Sequence, residues 1–230
     1  KDGELQSNEI IGVLGENGIG KTSFVKLLAN QIKDFKGKVT TSDTVAVAYK
    51  PKYLDYSTDE TLVQIFLEKA IQKYNNQLIK PLDLEKLFTK KVKELSGGEL
   101  QRTVIAKTLA EDANVFLLDE PSAYLDIEQR LLISKIIKNI AWERDLTILV
   151  VDHDLMFLDY LADRLIVLTG EPAKKGLLQG PFSMEDGMNL FLKELDITLR
   201  RDPNTNRPRI NKLGSVKDRE QRDANKWYYN

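Results

Sequence analysis

The sequence predicts an α/β fold: a mostly parallel sheet with a small helical lobe inserted into it. Three observations carry this reading. Apolar runs of strand length recur along the 230 residues, at 9–14, 45–49, 115–118, 147–151 and 164–168. Segments with helical spacing, 21–29, 127–144 and 155–161, separate most of them, and strands that alternate with helices pair in parallel beneath helices on both faces. The third observation is the stretch from Asp59 to about Glu111, which is amphipathic and helical in character, broken at Pro81 and at Gly97-Gly98. It interrupts the alternation and is expected to form the lobe.

Each element has a local reason. Residues 9–14 (EIIGVL) are β-branched and stop at Gly15, as a buried strand does, and 45–49 (VAVAY) end before Pro51. Phe24, Val25, Leu27 and Leu28 share a helical stripe. After Gly170 the pattern weakens. One helix is expected over 184–195, with Met188, Phe191, Leu192 and Leu195 on one face. Beyond it, 200–222 holds eight basic and three acidic residues, and Pro203 and Pro208 interrupt any helix, so a basic, extended tail is expected. The division expected is a core over 1–170, with the lobe at about 52–112, followed by a C-terminal helix and basic hinge over 171–230.

Composition narrows the function classes. With 42% hydrophobic and 30% charged residues the chain is globular rather than disordered. Thirty-four basic against 35 acidic side chains leave a net charge of −1, so any nucleic-acid contact must come from a local patch. The absence of cysteine excludes disulfides, thiol catalysis, cysteine-bound zinc and iron–sulfur clusters, and a single histidine, His153, excludes a multi-histidine metal site. The longest apolar runs are far too short to span a bilayer, and the start carries no signal-peptide pattern. A soluble, cytoplasmic protein is expected.

Three motifs carry chemistry. Gly15-Glu16-Asn17-Gly18-Ile19-Gly20-Lys21-Thr22, continued by Ser23, matches GxxxxGK[ST] between a strand and a helix. Its glycines let backbone N–H groups wrap phosphates at a helix N-terminus. Lys21 would neutralise the β- and γ-phosphates of ATP, and the Thr22 hydroxyl would ligate Mg²⁺. The strand 115–118 ends in Asp119-Glu120; buried adjacent carboxylates call for a cation or a water network. Asp119 suits holding Mg²⁺ through one of the ion's bound waters, and Glu120 suits polarising the water that attacks the γ-phosphate. Leu95-Ser96-Gly97-Gly98-Glu99-Leu100-Gln101-Arg102 pairs a capping box with two glycines that expose helix N–H groups.

This octet, just upstream of the acidic strand, resembles the signature element of the ATP-binding-cassette family. The resemblance extends to 121–126, similar to the family's D-loop with Ser122, Leu125 and Asp126, and to His153, placed like the family's switch histidine. It implies a P-loop ATPase cassette with a small helical subdomain, in which ATP is sandwiched between the P-loop of one cassette and the signature element of another. One position departs: Lys52 stands where the family usually carries a glutamine that senses Mg²⁺ and the γ-phosphate, and lysine has no acceptor with which to ligate a cation. Two readings stay open for it, a side chain facing solvent and a direct contact to phosphate. The aromatic that would stack on adenine would precede Glu9, where none occurs, so the chain is expected to begin inside the domain.

Within the family, the P-loop Gly-Glu-Asn-Gly, the D-loop, residues 160–164 and above all 195–213 are similar to the RNase L inhibitor proteins, soluble twin-cassette ATPases that split ribosomes. The match is to their C-terminal cassette and its hinge; their iron–sulfur domain and first cassette are not in this sequence. The resemblance implies, as partners, a second cassette (the other half of the same protein, or a weak homodimer), the small ribosomal subunit with termination and initiation factors, and no membrane. Arg200, Arg201, Arg207 and Arg209 of the hinge either touch rRNA phosphate or strap the hinge to acids of the partner cassette. A nucleotide-binding subunit of a membrane transporter and an ATP-gated scaffold with negligible turnover are the rival readings.

Overall fold

A computed structural model describes residues 4–32, 45–202 and 208–228. Arg207 lies outside them. Four strands read from the sequence form a parallel array: β1 (Ile10–Gly15), β2 (Val47–Lys50), β3 (Val115–Asp119) and β4 (Thr147–Val151). A fifth, β5 (Arg164–Glu171), lies parallel to β1. The spatial order is β2-β3-β4-β1-β5, and β1 lies between β4 and β5, which follow it in sequence by more than 130 residues in register Ile10 to Ile148.

Alternation along these strands divides the core. Ile11, Val13, Leu117, Leu149, Val151 and Ile166 turn to the face covered by α1 (Lys21–Leu28), where Val25 is buried. Ile10, Leu14, Phe116, Leu118, Ile148, Val150 and Val167 turn to the other face, beneath α4 (Gly97–Leu109), α5 (Ile127–Arg144) and α6 (Leu155–Leu161). At about 25 cal/mol per Å² removed from water, this two-sided burial is the main stabilising contribution to the fold.

The stretch between β2 and α4 is more broken than the amphipathic pattern suggests. After an extended run come α2 (Val63–Phe66) and α3 (Glu68–Tyr74), a π turn at Asn75–Ile79 and two 3-10 turns. Val63, Leu67, Leu78, Leu82, Leu84 and Leu87 still converge on one apolar centre. Tertiary burial, rather than helical continuity, organises the lobe.

Two expectations for the C-terminal part need correction. The sheet does not end near Gly170: β6 (Lys175–Ser183) folds back antiparallel on β5, so a boundary at 170 cuts a hairpin. Gly176, Gly180 and Pro181 disguise this edge strand, and its half-exposed residues leave little apolar alternation. Nor is 200–222 an extended tail. After α7 (Met184–Glu194), β7 (Leu199–Arg201) pairs with β8 (Pro208–Ile210), and Ser215 caps α8 (Val216–Asp223). Leu199, Trp227 and Tyr228 are buried in the main core cluster.

Candidate functional site

Parallel strands deliver their C-terminal ends to one edge of the sheet, where ligands of open α/β folds gather. Here that edge collects the P-loop after β1, Lys50 and Lys52 after β2, Asp119-Glu120 at the end of β3, and Asp152-His153 after β4.

The P-loop needs its glycines. Gly20, at φ 110°, caps α1 in the left-handed region, and a Cβ on Gly15 would come within 2.8 Å of the Leu168 carbonyl oxygen. Glu16, Asn17, Gly18 and Ser23 are exposed at the loop, while Ile19 anchors it in the core. Lys21 is buried and donates to the carbonyls of Gly15 (2.6 Å) and Glu16 (3.0 Å). Burial lowers its pKa, Glu120 pulls the other way, and the like charge of Lys52 adds to the lowering.

Asp119 is fully buried, and burial raises its pKa; the Thr22 hydroxyl opposes the shift, yet neither carboxylate oxygen has a hydrogen bond of good geometry. A buried carboxylate with both oxygens unpartnered, beside a hydroxyl, fits a hard cation. No cluster of three acidic or histidine ligands occurs among the described residues, so such a cation would draw its remaining ligands from phosphate and water.

Glu120 has φ 48°, a left-handed conformation that a glutamate rarely adopts. Its backbone is held from several sides. The N–H donates to the Val151 carbonyl at 2.7 Å, and its own carbonyl accepts from Gln101 Nε2 at 2.8 Å and Lys50 Nζ at 3.2 Å. Lys50 also donates to the Asp119 carbonyl at 2.8 Å; burial pushes its pKa down to about 8, against the pull of Asp119, Asp152 and Glu120. The Glu120 side chain faces Lys52, whose Nζ lies 2.8 Å from Oε1, and His153 Nδ1 stands at 3.9 Å from the same oxygen. Lys52 therefore does not point freely to solvent, and the Glu120 hydrogen bond raises its pKa.

Neighbouring groups brace this centre. Buried Asp152 accepts from Ser122 N (3.1 Å), Ser122 Oγ (2.9 Å) and Asp154 N (3.0 Å), tying the D-loop to the His153 turn; burial nonetheless raises its pKa. Leu125 is buried, and Asp126 caps α5 by accepting from Gln129 N at 2.8 Å. In the signature element Leu95 is half-buried, and Ser96 and Glu99 cap α4 reciprocally, with Lys90 on Glu99 at 3.0 Å. Gly97 and Gly98 pack on the D-loop; a Cβ on Gly97 would meet the Tyr124 ring at 3.2 Å. Sequence reasoning passed over Lys50, Gln101 and Asp152, each of which sits inside or beside a motif but acts on backbone or through a partner far away in sequence.

Two of the hinge arginines, Arg201 and Arg209, pair with acids of their own chain. Arg201 lies 3.3 Å from Asp159 and Arg209 3.2 Å from Asp202, while Arg200 is half-buried on β7. Within this chain, Arg201 and Arg209 thus each have an acidic partner.

Comparison with known proteins agrees with this geometry. The ABC transporter family matches residues 2–123. An uncharacterized ABC transporter ATP-binding protein of Methanocaldococcus jannaschii is 51% identical over 230 residues, covering 99% of this chain and 38% of its own length. Translation initiation factor RLI1 of Saccharomyces cerevisiae is 40% identical, covering 100% and 38%. A crystal structure of archaeal ribosome recycling factor aABCE1 in complex with the archaeal ribosomal stalk protein aP1 superposes with a TM-score of 0.91 at 48% identity, covering 99% of this chain and 45% of that one. The chain thus spans less than half the length of these relatives. With its P-loop, acidic strand end and signature helix in the arrangement of a nucleotide-hydrolysing cassette, the chain belongs to the ABC ATPase family, in its RNase L inhibitor branch.

Proposed function

We propose that this cassette hydrolyses ATP to drive the splitting of ribosomes into subunits, working in the cytoplasm against a second cassette. The observation that carries the chemistry is the pairing, at one sheet edge, of an unpartnered buried Asp119 with a Glu120 whose carboxylate meets Lys52 and whose charge is felt by the P-loop Lys21. In the proposed step the water oxygen bonds to the γ-phosphorus, the bond from γ-phosphorus to the bridging oxygen breaks, and ADP leaves with that electron pair. Glu120 accepts the water proton. Lys21 and the loop N–H groups would hold the phosphates, and His153, 3.9 Å from Glu120 Oε1, would orient the γ-phosphate. Asp119 and Thr22 would hold Mg²⁺, which supplies charge neutralisation on the phosphate oxygens.

The Ser96-Gly97-Gly98 cap opens outward beside the D-loop, which supports a site completed by an opposing cassette's P-loop. The ribosomal role is supported by relatives named for translation initiation and ribosome recycling.

Glu120→Gln tests the reading. The amide keeps the shape but accepts no proton, so ATP binding persists, hydrolysis falls by about 10²–10⁴-fold, and closed complexes accumulate with ATP on small ribosomal subunits in sedimentation. Normal turnover would remove Glu120 from the role. Capture of a membrane permease instead of ribosomal subunits would favour the transporter reading.

A further inference from the structure

The end of β2 sends two ammonium groups to the end of β3. Residues two apart on an extended chain project to the same side, and Lys50 and Lys52, flanking Pro51, both reach Asp119-Glu120. They do different things there. Lys50, fully buried, takes only main-chain carbonyls and so fixes the backbone. Lys52 takes the Glu120 side chain, 2.8 Å from Oε1, in a pair whose side chains are 31% and 12% exposed. Solvent screens such a pair only partly. His153, at 3.9 Å, makes no hydrogen bond that would compete for the same oxygen.

The consequence is chemical. While the pair holds, the Lys52 ammonium occupies Glu120 Oε1, an oxygen to which the attacking water would give its proton, and a lysine ammonium cannot take that proton in its place. We propose that Lys52 is a positioning residue that restrains hydrolysis by holding Glu120 in an ion pair, so that turnover waits for Lys52 to leave the carboxylate. This rests on Glu120 being the proton acceptor. A neutral amide at the same position would make no ion pair and impose no such wait. The restraint acts on the chemical step, whereas ground-state affinity for ATP stays with Lys21 and the P-loop.

Lys52→Met, measured in the two-cassette assembly, is the test, because it keeps most of the unbranched stem, removes the charge and adds no hard cation ligand. The expected result is a rise in kcat of about fivefold with the dissociation constant of a fluorescent ATP analogue held within about twofold. Lys52→Arg, which retains a cation, rises less. Lys52→Gln gives a second uncharged variant should the methionine destabilise the fold in thermal melts. In a Glu120→Gln background Lys52→Met has no effect on the residual rate, since the two act through one contact. An unchanged or lowered kcat in both uncharged variants overturns the proposal, as does weaker ATP binding with kcat constant, which would place Lys52 on the phosphate. Normal turnover by Glu120→Gln alone would overturn the acceptor reading first, and is seen before Lys52 is altered.

Discussion

The parallel sheet and the C-terminal segment after α7 are stabilised by different physics. In the sheet, β1, β3 and β4 bury apolar side chains on both faces, and polar groups enter only at the C-terminal edge. The C-terminal segment instead closes around a polar hub. Buried Asp218 accepts from Thr198 Oγ1 (2.6 Å), Gly214 N (2.8 Å) and Arg222 Nε (3.0 Å), and Asn211 Nδ2 donates to Thr198 Oγ1 at 2.9 Å. Apolar burial is non-directional and degrades gradually, whereas a hydrogen-bonded hub loses several partners when one member is removed.

The sharpest separation of the two regions comes from Phe116, fully buried in β3. Phe116→Ala costs about 3–5 kcal/mol and lowers the whole unfolding transition in urea, C-terminal segment included. Lys50→Met leaves the Asp119 and Glu120 carbonyls short of a donor; hydrolysis falls about tenfold, with a smaller stability loss than Phe116→Ala, checked by ATPase assay and melt on one preparation. Asp218→Ala acts only on the second region. Limited proteolysis then cuts within 196–228 while ATP binding survives; simultaneous loss of both would erase the distinction between the regions. Acid has the same local effect. The Thr198 hydroxyl and the Gly214 N–H, with Arg222, hold the Asp218 pKa below its ordinary value. Its contribution is therefore present above the unfolded carboxylate pKa, about 3.9, and is lost as pH falls through the lower folded value. Hydrogen exchange in α8 should rise in that window before exchange in β1. The smallest effect is Gly97→Ala: the Tyr124 ring is exposed and can give way, so stability changes by less than about 1 kcal/mol.

The same contrast explains what the sequence reveals. Strands 147–151 and helices 127–144 and 155–161 coincide with β4, α5 and α6 because their burial is periodic and continuous. The P-loop, Asp119-Glu120 and the Ser96–Glu99 box are legible because their chemistry is local. β6 is not, since a half-exposed edge strand with Gly176, Gly180 and Pro181 has neither pattern. The C-terminal fold is hidden for a different reason: Arg201 and Tyr228 both find Asp159, and partners so distant leave no periodic trace. Eight basic residues in 200–222 therefore suggest a solvated tail, although several of them meet carboxylates of their own chain. The role of Lys52 is legible only as a departure from a family pattern; its partner comes from the fold.

The carbonyl of Glu120 marks the neck of the helical lobe. The chain leaves the sheet just past Lys50 and returns along α4 through Gln101, and both side chains clasp that one oxygen, at 3.2 and 2.8 Å. The whole excursion is thus a loop cinched at its base by the consecutive carbonyls of Asp119 and Glu120, and Glu120, with its φ of 48°, sits between the two ends it joins. Both ends of the lobe are thereby hydrogen-bonded to the strand end that bears the two carboxylates, so the neck of the lobe and the seat of the phosphate chemistry are one place.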